Sequence, residues 1–229
     1  LQSAFVSAGQ RCSALRVLYL QEEIADRIIA LLKGALADYT VGLPFNRKTD
    51  VSTVIDERAR AGLQAHIDQL TSEGRLLAQA PLDESLTGFF IAPTVFEIPG
   101  IEMLKKEHFG PILHIVRYKR QNLYKLIDEV NNSGYGLTMG IHTRNDTLVN
   151  EILTLGRVGN FYVNRNQVGA VVGVQPFGGL GLSGTGPKAG GPNYLLRFMN
   201  EHSVSINTAA IGGDAALISQ AYQDDELVE

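Results

Sequence analysis

Phe5-Val6-Ser7-Ala8-Gly9-Gln10-Arg11-Cys12-Ser13-Ala14 carries the only cysteine of a 229-residue chain. The thiol lies among small residues and a glycine, which let a substrate and the backbone approach closely. Arg11 precedes it, and a neighbouring cation favours the thiolate, the reactive form of this side chain. Taken alone, a free cysteine is most often a small buried hydrophobe. The stretch reads as a nucleophile loop only if the rest of the chain supplies what a nucleophile needs. Just ahead of it, Ala4-Phe5-Val6 reads as strand-like.

Working outward, Val17 to Leu20 is a strand candidate. A helix follows from about Gln21 to Asp38, with Ile24, Ile28, Leu31, Leu32 and Leu36 at helical spacing and Glu22 and Glu23 in its first turn. A second helix is expected from about Asp56 to Ser72, ended by Gly74. Short strands are expected at Phe89–Ile91, Thr138–His142 and Phe161–Val163, and a longer β-branched one at Ile112–Tyr118. Helices are expected at about Leu123–Asn131 and, with Asp146 as N-cap, up to Leu155. Strands alternating with amphipathic helices predict an α/β fold with a parallel-rich sheet flanked by helices. Glu201 to Asn207 alternates like an exposed strand, and a polar tail follows it.

Composition excludes several classes. With 45% hydrophobic and 19% charged residues and a net charge of −4, the chain reads as an ordinary globular domain. Nothing points to nucleic acid binding through this segment, and no apolar run reaches the length of a membrane span. A single cysteine rules out an internal disulfide and fits a reducing, cytoplasmic setting. The start at Leu1, with no charged targeting region ahead of the first apolar stretch, reads as a piece of a longer protein.

Gly179-Leu180-Gly181-Leu182-Ser183-Gly184 has Gly-x-Gly-x-x-Gly spacing, but it lacks the preceding strand and the helix that a dinucleotide fingerprint requires. Pro176 lies before it and Gly186-Pro187 after it, so the match is a decoy. Ser183 has no nucleophile-elbow context. Glu107-His108-Phe109-Gly110-Pro111 stands before a strand. A carboxylate there can accept from a ribose diol, and the phenyl ring can lie against a flat heterocycle; a solvated turn is the plain alternative. The five histidines show no metal-ligand spacing, so no metal is expected.

Five stretches in order carry a resemblance: Phe5 to Cys12, Gly88-Phe89-Phe90-Ile91-Ala92-Pro93-Thr94, Glu107 to Pro111, Gly159-Asn160-Phe161-Tyr162-Val163-Asn164, and Pro176-Phe177-Gly178-Gly179. Together they resemble the aldehyde dehydrogenase superfamily, specifically the catalytic half of such an enzyme. Cys12 to Arg16, Val54-Ile55-Asp56, Val172 to Gly179 and Ser183 to Pro192 are similar to Δ1-pyrroline-5-carboxylate dehydrogenases. The 47–70 region is most like that domain in bifunctional proline utilisation proteins.

The resemblance implies NAD-dependent oxidation of L-glutamate γ-semialdehyde to glutamate in proline catabolism, with Cys12 as the catalytic nucleophile. It places Glu107, Phe109 and Phe177 at the cofactor. Ser13, Gly190, Gly191 and Phe198 fall at the substrate, the two glycines forming a loop that anchors its carboxylate. It implies a catalytic domain over 1–197 and a C-terminal oligomerisation strand and tail over 198–229, in a homo-oligomeric parent. The Rossmann half, the general-base glutamate and the oxyanion asparagine lie upstream of this sequence, so the isolated chain is expected to be inactive or nearly so. FAD would belong only to an upstream proline dehydrogenase domain, and the parent could sit peripherally at a bacterial inner membrane. Three other readings stay open: a noncatalytic assembly scaffold, a thiol acyltransferase or esterase, and a dehydrogenase for another semialdehyde acid.

Overall fold

The computed structural model describes residues 1–207. The chain divides into two units, Leu1–Tyr194 and Leu195–Glu229.

In the first unit, α1 (Gln2–Phe5) is a single turn rather than the expected strand. The Leu1 carbonyl accepts from the N–H groups of Ala4 and Phe5, which closes the turn, and Phe5 is driven into the core. Strand β1 (Val17–Gln21) runs directly into α2 (Glu22–Ala37). Helix α3 (Glu57–Ser72) is capped by the Asp56 carboxylate, which accepts from the Ala59 N–H at 2.7 Å. Then come β2 (Leu76–Gln79), β3 (Thr94–Glu97) and β4 (Ile112–Tyr118). The expected strand at Phe89–Ile91 is irregular. Phe90 and Ile91 are buried, but only the chain after Pro93 lies alongside β4.

The main sheet has the order β1-β4-β3-β2. β1, β4 and β3 are parallel, and β2 is antiparallel to β3. Alternation along β4 sends Ile112 and His114 to one face and Leu113, Ile115 and Arg117 to the other. Helix α3 covers the first face, with its His66 meeting His114. Helix α2 covers the second, where Arg117 Nη1 donates to Asp26 at 2.7 Å and Nε to Glu97 at 2.9 Å. Burial on both faces of Ile112–Val116 is why that stretch reads as an apolar run broken only by His114. The two ion pairs are partly solvated and add little to stability.

A second layer follows in the same unit: α4 (Leu123–Asn132), β5 (Tyr135–Gly136), β6 (Thr138–Ile141), α5 (Asp146–Leu155), β7 (Asn160–Val163) and β8 (Leu180–Gly181). β6 pairs in parallel with β7, and β5 pairs antiparallel with β8. Ile127, Ile141 and Ile152 form the core beneath α4 and α5. The cap of α5 is Asn145, not Asp146: its side chain accepts from the Leu148 N–H at 3.2 Å. The segment after β8 turns without opening a helix, so no phosphate cradle forms there.

In the second unit, residues 201–207 are exposed and carry no strand ladder among the described residues. The rest of the expected oligomerisation strand and tail, residues 208–229, lies outside the described residues.

Candidate active site

Ser7, Ala8 and Gly9 are consecutive residues in the left-handed region, with φ of 56°, 53° and 65°. Left-handed backbone costs about 1–2 kcal/mol at each non-glycine residue, so this loop must be held from outside. Gln10 supplies one hold. Its amide donates to the Thr53 carbonyl at 3.3 Å and accepts from the Ile55 N–H at 2.8 Å, acting as a pseudo-strand partner. Arg11 Nε donates to the Ser7 hydroxyl at 3.0 Å. Cys12, next along, is exposed, whereas Ser13 is buried.

The Cys12 loop touches the loop that carries Glu107 and Phe109. A Cβ on Gly9 would stand 2.1 Å from the Gly110 carbonyl oxygen, so the two backbones are in contact. Arg16 spans the same seam. Its Nε donates to Glu107 Oε1 at 3.0 Å, Nη1 to the Gly9 carbonyl at 2.6 Å, and Nη2 to the Arg11 carbonyl at 3.1 Å. Its guanidinium carbon lies 4.6 Å from the centre of the Phe109 ring. Burial pulls the Arg16 pKa down from its ordinary value, opposed by its bond to Glu107 and by the charges of Glu107 and Cys12.

A third segment closes around the loop from the β7 side. The Ser3 hydroxyl donates to Asn166 Oδ1 at 2.7 Å, and Gln167 Nε2 donates to the Ser13 carbonyl at 3.2 Å. Asn160 Nδ2 donates to the Pro176 carbonyl, and its Oδ1 accepts from the Gly178 N–H, which fixes the segment holding Phe177. Lys188 Nζ donates to the Gly159 carbonyl and lies 3.4 Å from Asn160 Oδ1. Phe177 and Ala189 exchange backbone hydrogen bonds of 3.1 and 3.0 Å.

The expected anchor glycines sit just beyond. Gly190 is left-handed at φ 72°, and the Gly191 N–H donates to the Lys188 carbonyl at 3.0 Å. Phe198 ends the 3-10 turn Tyr194–Phe198 and belongs to the second unit.

Comparison with known proteins decides the family. A model of the aldehyde dehydrogenase family matches residues 1–204. The chain belongs to the aldehyde dehydrogenase family. Among its relatives in that family, the bifunctional protein PutA of Klebsiella aerogenes is 52% identical over 99% of this chain and 17% of its own length. The 1-pyrroline-5-carboxylate dehydrogenase 1 of Halalkalibacterium halodurans is 38% identical over 90% of this chain and 40% of its own. A crystal structure of Bradyrhizobium japonicum proline utilization A (PutA) superimposes with a TM-score of 0.84 at 53% identity, covering 92% of this chain and 21% of that one. The chain thus spans about a sixth of the PutA proteins it matches.

Within this aldehyde dehydrogenase chain, the loops carrying Cys12 and Glu107-His108-Phe109 adjoin, and sequence reasoning passed over Arg16, Gln10 and Asn160 as the residues that hold them. All three stand inside the quoted motifs, which was the available signal. A histidine cluster behind the Glu107 loop was also missed. The Nδ1–H of His114 donates to the Arg16 carbonyl at 3.0 Å, which leaves its Nε2 to accept from His66 Nε2–H at 2.9 Å. His108 stacks on His66 with ring centres 3.6 Å apart.

His114 is 2% exposed, and burial pushes its pKa down from 6.5 to about 4. Unfolding restores the ordinary value, so between these limits the unfolded chain binds more protons than the folded one. Stability is therefore fully present above pH 6.5 and is lost as pH falls towards 4, by on the order of 3 kcal/mol for His114. Thermal midpoints should drop steeply between pH 6.5 and 4.5 in the wild type and less in His114→Phe. A flat wild-type profile would contradict this.

Proposed function

We propose that this chain is the nucleophile-bearing part of an NAD-dependent L-glutamate γ-semialdehyde dehydrogenase of proline catabolism, working within a longer, homo-oligomeric protein. The observation that carries the reading is the seam where the Cys12 loop meets Glu107 and Phe109, joined by backbone contact and by Arg16. The names of the relatives, PutA and 1-pyrroline-5-carboxylate dehydrogenase, support the substrate class.

The residues present fit the nicotinamide riboside end of a dinucleotide. Phe109 keeps 46% of its surface exposed beside a carboxylate, offering an apolar face next to a diol acceptor. A nicotinamide dinucleotide bound there supplies the hydride acceptor. The Cys12 thiolate attacks the aldehyde carbon, a C–S bond forms, and the carbonyl electron pair moves to oxygen. The Cys12 N–H and an asparagine amide from upstream are the donors for that oxygen. As the C=O re-forms, the hydride leaves the same carbon and a thioester remains on Cys12. Water adds to the thioester, a general base outside this sequence removes its proton, and the thiolate departs with the C–S electrons. Glutamate is released. FAD would serve only an upstream proline dehydrogenase domain, and the setting is cytoplasmic. Among the described residues no helix is long and apolar enough to cross a membrane.

The carboxylate anchor is proposed at Gly190 and Gly191, next to Phe177. One observation favours a second site for it. The Gly191 N–H is engaged by Lys188, whereas the loop opening at left-handed Gly169 follows Asn166 and Gln167, which are bonded to Ser3 and Ser13 of the nucleophile region. Gly190→Ala and Gly169→Ala should therefore differ. Whichever raises KM for the semialdehyde several-fold, while sparing an aldehyde that lacks the carboxylate, marks the anchor.

Steady-state NADH formation by the full-length protein with glutamate γ-semialdehyde tests the whole reading. No turnover would refute it, and equal kcat/KM for simple aldehydes would move the substrate class.

A further inference from the structure

We propose that Arg16 is a positioning residue that sets the distance between the Cys12 thiolate and the nicotinamide ring by bracing the nucleophile loop against the cofactor loop. The inference rests on the dehydrogenase reading above, in which Arg16 only helps to join the seam, and gives that residue a role in the reaction geometry.

Four polar bonds converge on one guanidinium. Two go to the nucleophile loop, at the carbonyls of Gly9 and Arg11, which lie on the N-terminal side of Cys12. Two go to the cofactor loop, at Glu107 Oε1 and, at 3.4 Å, the Gly110 carbonyl. The guanidinium carbon also lies over the Phe109 ring. The side chains of Arg16 and Glu107 are 16% and 28% exposed, so water screens the pair only in part. Holding Glu107 by Oε1 leaves its second oxygen able to accept from a diol, since a carboxylate offers about four lone-pair sites. Ser7, Ala8 and Gly9 are all left-handed, and such a loop keeps its shape only when bonds from outside over-determine it. Arg16 supplies those bonds from the very element that also fixes Glu107.

A lysine could not do the same. An ammonium is a point donor on a flexible stem, whereas the guanidinium is a rigid planar fork that can bond carbonyls and a carboxylate while stacking on an aromatic ring. Arg16→Lys therefore keeps the charge and removes the geometry. Hydride transfer depends on near-attack distance, and a misplacement of about 1 Å can cost about 100-fold. Attack of the thiolate on a small alkylating agent or on an active ester has no such requirement.

The test uses the full-length protein and R16K. NADH formation from glutamate γ-semialdehyde should fall about 30- to 100-fold in kcat, with KM for NAD raised several-fold. With the substrate deuterated at the aldehyde carbon, the kinetic isotope effect should rise as hydride transfer becomes limiting. Alkylation of Cys12 by iodoacetamide and thiol-dependent hydrolysis of p-nitrophenyl acetate should change by less than about threefold. A parallel fall in all three activities, an unchanged kcat for NADH formation, or a melting temperature far below wild type would each overturn the assignment, the last by making Arg16 a structural residue. Failure of the dehydrogenase reading would already show in the wild type as absent NADH formation. Failure of the Arg16 inference shows against an active wild type, as an unchanged ratio of hydride-dependent to hydride-independent rates or as a lowered melting temperature in R16K.

Discussion

Cys12→Ala in the full-length protein is expected to lower NADH formation from glutamate γ-semialdehyde by about 10⁴-fold or more, the range in which loss of a covalent nucleophile falls. The size follows from the chemistry: without sulfur neither the first adduct nor the thioester can form, and no neighbouring group replaces it. The loss should come without damage to the fold. Cys12 is exposed, and the bonds that hold its loop run through the Gln10 amide, the Ser7 hydroxyl and the carbonyls of Gly9 and Arg11. None uses the thiol. Removing an exposed side chain in such a place changes stability by about 0.5 kcal/mol or less. Equal melting temperatures together with vanished turnover would fix the thiol as the reacting group. Turnover that survives in the variant would return Cys12 to a packing role and bring forward the reading of the chain as an assembly scaffold.

The elements legible in the sequence were those whose period is decided locally. Leu63, Ile67 and Leu70 repeat at helical spacing and are buried on α3, and the β-branched run Ile112–Tyr118 is β4 over its full length. What could not be read was decided by partners remote in the chain. Phe89-Phe90-Ile91 is more apolar than Thr94–Glu97, yet the latter is the strand because Thr94 lies opposite Ile112 and Val95 opposite Leu113. Phe5 looks strand-like beside Ala4 and Val6, but the Leu1 carbonyl accepts from the N–H groups of Ala4 and Phe5 and closes a helical turn instead. The site divides the same way. Its motifs sit within single short stretches and could be quoted, whereas Arg16 and Glu107 are separated by 91 positions and His66 and His114 by 48. Pairings of that kind depend on the sheet order, which spacing alone does not set.

At Gly9 the backbone of the Cys12 loop, rather than its chemistry, is at stake. Gly9→Ala is expected to destabilise the domain by about 3 kcal/mol or more, and Gly9→Val by more still, by two additive routes. The residue is left-handed at φ 65°, which costs about 1–2 kcal/mol for an L side chain and most for a β-branched one. Its new Cβ would also meet the Gly110 carbonyl oxygen at 2.1 Å and that of Ala4 at 3.0 Å, and backbone cannot swing aside as a flexible side chain can. Gly74 separates the two routes. It is left-handed too, at φ 72°, but a Cβ there meets nothing within 4 Å, so Gly74→Ala should show the conformational cost alone. The excess loss in the melting transition at Gly9 over Gly74 then measures how closely the Cys12 loop presses on the Glu107 loop. If the domain survives Gly9→Ala by letting the loops part, the added separation should appear as lost NADH formation with Cys12 still open to alkylation. Equal and small losses at both glycines, with turnover intact, would mean that the loops do not touch, and the seam on which the proposed chemistry depends would have to be given up.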